Sequence, residues 1–150
     1  MKASLSSPVG PLSVTQEGDV ITVLDWGASR SEMQTELLKE AVSQLEAYFA
    51  GELHDFDLPL DLGVSPFRRA FSQALIDIPF GDTRTYGDLA KELGVSAQAI
   101  GQACGSNRIP ILIPCHRVLG ATSLGGFSGA GGIEAKVALL KREGAAGLLI

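Results

Sequence analysis

Thr85-Tyr86-Gly87-Asp88-Leu89-Ala90-Lys91-Glu92-Leu93-Gly94-Val95-Ser96-Ala97-Gln98-Ala99-Ile100 is the stretch on which the fold turns. Ala90, Gly94 and Ile100 are spaced four and six positions apart. That is the spacing of a helix-turn-helix: a small residue lets two helices approach, a glycine makes the turn, and a branched apolar residue locks the second helix. Helical hairpins of this kind also occur without DNA, so the motif alone leaves its ligand open.

Upstream, Ser65 stands as an N-cap before Pro66 in the first helical position, and Phe67, Phe71, Ala74, Leu75 and Ile78 line one side of the helix they open. Pro79-Phe80-Gly81-Asp82 ends it. Downstream, residues 133–142 predict a short helix with Val137, Leu140 and Ala138 packing inward, and Gly144 follows it. The beginning of the chain has a different rhythm. Pro8-Val9-Gly10-Pro11-Leu12-Ser13-Val14, the turn Glu17-Gly18-Asp19 and Val20-Ile21-Thr22-Val23-Leu24 read as a β-hairpin with further strand. From Glu36 the period becomes helical through Leu37, Leu38, Ala41, Val42, Leu45, Tyr48 and Phe49, and Gly51 ends the run. Residues 56–63 predict a strand and linker closing this half.

A chain of 150 residues, 45% hydrophobic and 19% charged, can bury a core as one domain or two. No apolar run approaches the roughly 18 residues of a spanning helix, and the start lacks the apolar core of a secretory signal, so a cytoplasmic protein without membrane contact is expected. The net charge of −5 segregates: residues 1–62 carry three basic and eleven acidic side chains, net −8, and residues 63–150 carry nine and six, net +3. A nucleic-acid face confined to the second half is compatible with this, as is ordinary surface variation. Cys104 and Cys115 read as free thiols, and without paired-ligand spacing neither a metal nor a cofactor is expected. Gly125 to Gly132 is glycine-rich but fits no phosphate-binding pattern.

The chemistry concentrates in Asn107-Arg108-Ile109-Pro110-Ile111-Leu112-Ile113-Pro114-Cys115-His116-Arg117-Val118. A cysteine followed by His and Arg, after an apolar run stiffened by two prolines, sets a thiol in electropositive surroundings that favour the nucleophilic thiolate. A buried core cysteine ending a strand is the alternative reading. Neighbours on extended chain point to opposite sides, so His116 would reach Cys115 only through a bridging water. A carboxylate on the far nitrogen of His116 would complete a Glu-His-water-Cys relay, with Glu143 as its candidate.

Pro114-Cys115-His116-Arg117-Val118 resembles the active-site signature of the O6-alkylguanine-DNA alkyltransferases, the methylated-DNA-protein cysteine methyltransferases. The resemblance runs from Pro66-Phe67 and Ile78-Pro79-Phe80-Gly81 through Thr85-Tyr86-Gly87 and Asn107 to Gly126-Phe127-Ser128-Gly129 and Glu143-Gly144, with a weaker match at Ser7-Pro8-Val9-Gly10-Pro11-Leu12. It implies an α/β (α+β) chain. Residues 1–62 would form a small ribonuclease-H-like β-sheet with a helix, serving structure. Residues 63–150 would form a mainly helical, winged-helix-like domain that binds DNA and accepts the alkyl group.

The implied activity is single-turnover DNA repair by a monomer: O6-alkylguanine is flipped out of DNA and its alkyl group passes irreversibly to Cys115. By the same resemblance His116 and Glu143 form the relay, and Asn107 ties the recognition helix to the active-site turn. Tyr86 presses on the target phosphate and meets guanine N3. Ser128 lies near O6, the Cys115 and Val118 carbonyls accept from the exocyclic amine, Pro110 and Phe127 wall the pocket, and Arg117 is counted with the residues that meet substrate or DNA. Two positions depart from the family pattern. Gln98 stands where an arginine usually replaces the extruded base, and Arg108 stands where a proline usually follows the asparagine, which predicts altered base extrusion with Arg108 as a partial substitute. Other readings are a module that binds alkylated DNA without repairing it, which the thiol argues against, a cysteine hydrolase, for which adjacent Cys and His are poorly placed, and an inert structural cysteine.

Overall fold

A computed structural model describes residues 1–29, 32, 35–120 and 132–145. The chain divides into two compact units, Met1–Asp61 and Leu62–Ile150.

In the first unit, β1 (Lys2–Leu5), β2 (Leu12–Glu17) and β3 (Val20–Trp26) form an antiparallel sheet in that order. Gly18, at φ 60, makes the turn between β2 and β3 that the sequence predicts. Helix α1 (Glu36–Phe49) starts at Thr35, whose hydroxyl accepts from the Leu38 amide, and lies on β1 and β2. Its buried stripe is Leu38, Ala41, Leu45, Tyr48 and Phe49. Covering a large apolar side chain of this kind stabilises the unit by about 1.5–3 kcal/mol each. β1 was not legible as a strand: only Ala3 and Leu5 carry its alternation. The strand expected within residues 56–63 reduces to one parallel bridge between Ile21 and Leu60. The Ile21 amide donates to the Pro59 carbonyl at 2.9 Å, but Pro59 has no amide to return and the ladder stops.

The second unit opens with α2 (Pro66–Ile76), capped by the Ser65 hydroxyl and buried along Phe71 and Leu75. The two-residue β4 (Arg84–Thr85) leads into α3 (Tyr86–Leu93), whose start is a capping box: the Asp88 amide donates to Thr85 Oγ1 at 3.0 Å and the Thr85 amide to Asp88 Oδ2 at 3.0 Å. Gly94 ends the helix at φ 69, and α4 (Ala97–Gly105) begins on the Ser96 cap. Leu89 and Ala90 of α3 and Ile100 and Ala103 of α4 are buried, so the small and branched residues of the motif sit in the core as expected. A 3-10 turn, Cys115–Arg117, then runs into β5 (Val118–Leu119), which pairs parallel to β4 with Arg84 opposite Val118. This pairing sets the first turn of α3 beside the end of the cysteine turn. Helix α5 (Ile133–Glu143) packs on that turn. Its buried face is Ala135, Lys136, Leu139, Leu140 and Glu143, whereas Val137 is half-buried and Ala138 exposed. Leu140 therefore packs inward as expected, whereas the places expected for Val137 and Ala138 are taken by Lys136 and Leu139. No helix among the described residues is long and apolar enough to cross a membrane.

Candidate active site

The apolar run before the cysteine folds into consecutive tight turns. The Leu112 amide donates to the Pro110 carbonyl at 2.8 Å around Ile111, whose φ is 71. This is a γ-turn centred on a β-branched residue in the left-handed region, a strain of about 1–3 kcal/mol that the surrounding packing must hold. Pro114, at φ −80 and ψ 69, centres an inverse γ-turn closed by the Cys115 amide on the Ile113 carbonyl at 2.8 Å. Cys115 is thus delivered at the head of a 3-10 turn and is not on extended chain. The strand alternation expected to part Cys115 from His116 does not apply, because 3-10 neighbours differ by a third of a turn.

His116, wholly buried, meets Glu143 through Nε2 and Oε2 at 2.7 Å. Arg117 grips the same carboxylate through Nε to Oε1 at 2.8 Å and Nη2 to Oε2 at 3.1 Å, and its Nη1 donates to the Ile78 carbonyl at 2.7 Å. Burial alone would push the Glu143 carboxyl up, but the hydrogen bonds from His116 and Arg117, with the Arg117 charge, hold it down at about 2. Burial lowers His116 more strongly than Glu143 raises it, so the imidazole is neutral. An ionised carboxylate only accepts, which assigns the imidazole proton to Nε2 and leaves Nδ1 a bare acceptor. That nitrogen is buried and has no hydrogen-bond partner among the described residues.

Arg117 departs from its expected place with the residues that meet substrate or DNA. Its side chain is only 6% exposed and lies in the interior between Glu143 and the end of α2. The thiol departs as well. Cys115 is 5% exposed, and burial raises its pKa against the lowering effects of an Asn107 hydrogen bond, Lys136 and Arg68. In the free protein the surroundings therefore favour the thiol and not the thiolate. The cations acting on Cys115 come from α5 and α2, and sequence inspection picked out neither. Lys136 was legible in principle, two helical turns before Glu143 on the same face. It is fully buried, donates from Nζ to the Val118 carbonyl at 2.6 Å and lies 5.9 Å from the centre of the Tyr86 ring.

Asn107 joins the end of α4 to the cysteine turn: its Nδ2 donates to the Ile113 carbonyl at 2.9 Å and its Oδ1 accepts from the Ile109 amide at 3.0 Å. The Ile113 carbonyl is also the acceptor for the Cys115 amide. Tyr86 is half-buried at the first turn of α3, Pro110 and Val118 are buried, and Gln98 and Arg108 are exposed. Phe127 and Ser128 lie outside the described residues. Cys104, the other free cysteine, is raised to about 12 by burial and by the charge of Cys115, with Lys136 and Arg68 opposing. Among the described residues no group of three or more His, Cys, Asp or Glu side chains could hold a metal.

A helix-turn-helix joined by an asparagine to a cysteine turn, with a buried histidine-carboxylate pair behind it, defines a class of DNA-binding proteins that carry a reactive cysteine. Residues 66–145 match the DNA-binding domain of 6-O-methylguanine DNA methyltransferase, and residues 1–62 match its ribonuclease-like domain. The chain belongs to this family. It is 43% identical to a methylated-DNA-protein-cysteine methyltransferase of Mycobacterium tuberculosis, over 93% of this chain and 90% of that one. It is 40% identical to the constitutive methyltransferase of Bacillus subtilis, over 91% of each. A crystal structure of Mycobacterium tuberculosis OGT in complex with DNA superposes with a TM-score of 0.82 at 41% identity, covering 95% of this chain and 92% of that one.

Proposed function

We propose that this protein repairs DNA by drawing the alkyl group of O6-alkylguanine onto Cys115, where it stays. The carrying observation is the His116 Nε2 contact to Glu143 at 2.7 Å, which leaves a buried, bare Nδ1 as a base. Through a bridging water Nδ1 takes the thiol proton, and the imidazolium so formed is stabilised by Glu143. The sulfur lone pair attacks the alkyl carbon, the carbon–O6 bond breaks, and its electron pair leaves on guanine. Tyr86 polarises or protonates the leaving base. A thioether has no route to hydrolysis, so each molecule acts once.

The O6 substituent lies within the base stack of a duplex, so the nucleotide must rotate out at a cost of roughly a few kcal/mol. The helix-turn-helix, with Gln98 on the exposed start of α4, serves this step. Gln98 fills the vacated space without the charge or stacking plane of an arginine, and Arg108, beyond the far end of α4, supplies part of what is missing. Pro110, Phe127, Ser128 and the carbonyls of Cys115 and Val118 form the base pocket, and Asn107 holds its floor. Residues 1–62, acidic and without chemistry of their own, serve structure. Cys115, His116 and Glu143 all belong to the second unit, which supports action as a monomer, and two free thiols suit the reducing cytoplasm.

The test is direct. Incubation with O6-methylguanine duplex DNA should leave one methyl on the Cys115 peptide by mass spectrometry and none on Cys104, and Cys115→Ser should take up none. An unmodified Cys115 peptide refutes the reading.

A further inference from the structure

Arg68, near the start of α2, is held on four sides. Its stem runs over Gly63, where a Cβ would overlap the Arg68 Cβ and Cγ. Gly63 is at φ 119, a conformation that favours glycine. The guanidinium lies 5.2 Å from the centre of the Phe71 ring. Its Nη1 donates to the Ala103 carbonyl at 2.9 Å and to Ser106 Oγ at 3.1 Å. Ser106 Oγ in turn donates to the Gln102 carbonyl at 3.0 Å. These acceptors are the carboxyl end of α4, the negative end of its dipole, and the last turn of α4 has no basic residue of its own. The next residue is Asn107, which holds the Ile113 carbonyl against which the Cys115 amide closes its turn.

We propose that Arg68 is a positioning residue for alkyl transfer: it fixes the carboxyl end of the recognition helix so that Asn107 holds the Cys115 turn in its reactive geometry. The proposal rests on the function assigned above. Arg68 also brings a permanent positive charge toward both thiols, and the attraction is mutual, opposing the effect of burial on the guanidinium and on each thiol. The groups facing Cys115 from the packed elements are Lys136 of α5, Cys104 of α4, Asn107 of the loop and Arg68 of α2. Of these, Arg68 is the cation bonded to the end of α4.

The test uses the full chain with Arg68→Met, which keeps an apolar stem over Gly63 and removes the guanidinium, and Arg68→Lys, which keeps the charge. Gly63→Ala displaces the stem without removing it. Single-turnover methyl transfer from duplex DNA is measured against DNA concentration, and Cys115 carboxamidomethylation by iodoacetamide against pH. In Arg68→Met the saturated transfer rate should fall about tenfold or more while half-saturating DNA stays within about twofold, as for misplacement of a reacting group. Its thiol pH profile should move upward. Gly63→Ala should reproduce the fall in rate, and Arg68→Lys should restore the thiol profile more fully than the rate. Wild-type rates and an unmoved profile in Arg68→Met, with only a lower Tm, overturn the proposal. If the wild type takes up no methyl, the repair reading fails, whereas the iodoacetamide profiles still decide whether Arg68 governs the thiol.

Discussion

Replacing Arg117 by methionine separates a DNA contact from an internal clamp. The guanidinium makes three hydrogen bonds, at 2.8 and 3.1 Å to Glu143 and at 2.7 Å to the Ile78 carbonyl, with the side chain 6% exposed. Methionine would fill much of the volume but take both guanidinium hydrogen bonds from a buried carboxylate. Removing one partner of a buried ion pair costs about 3–5 kcal/mol. For a domain of this size that lowers Tm by on the order of 10 °C or more. Circular dichroism melts at neutral pH give the stability, and fluorescence anisotropy with duplex DNA over about 50–200 mM salt gives the charge contribution to binding. A lost phosphate contact would reduce the salt slope by about 1. The expected result is a much lower Tm with an unchanged slope for the folded fraction. A variant that melts with the wild type and whose slope falls by about 1 would refute the interior placement, and Arg117→Lys, keeping one donor, should fall between.

Glu143, held at about 2, binds its proton less readily folded than unfolded, so its stabilisation is complete above the ordinary carboxylate range and is lost as pH falls toward about 2. Glu143→Gln should flatten that part of the pH-stability curve by up to about 3 kcal/mol in urea titrations. His116, lowered by burial, adds a loss that begins as pH drops below its ordinary value of 6.5, and His116→Gln should remove it. Lys136→Met should move the pH profile of Cys115 alkylation by iodoacetamide upward, and each whole pH step of that movement slows the reaction at neutral pH by about tenfold; an unmoved profile would show that Lys136 does not support the thiolate. Gln98→Arg should speed repair of O6-methylguanine in duplex DNA more than in single strands. Equal effects on both would show that Gln98 does not limit extrusion.

The helix-turn-helix was legible because each of its parts is local: Thr85 and Asp88 cap α3, Gly94 takes a positive φ, and Ala90 and Ile100 have only one way inward. The pairing of His116 with Glu143 was legible from residue chemistry and family likeness. The destination of Arg117 was not, because the choice between solvent and interior is made by the Ile78 carbonyl 39 residues away. Lys136 escaped for a different reason: a lysine on a helix is ordinarily solvated, and only the phase fixed by Leu139, Leu140 and Glu143 turns it inward. The γ-turn at Ile111 runs against the preference of a β-branched residue, and no local pattern announces it.

The near-complete burial of Cys115, at 5% exposure, with its proton firmly held, bears on how long a molecule of this protein stays useful. A catalyst that turns over can lose an occasional encounter with a stray electrophile or peroxide at little consequence. A stoichiometric acceptor cannot, since every such collision that succeeds removes one repair event from the cell. A buried thiol whose pKa burial raises meets such reagents less readily, and one transfer per molecule ties the number of lesions a population can clear to its copy number.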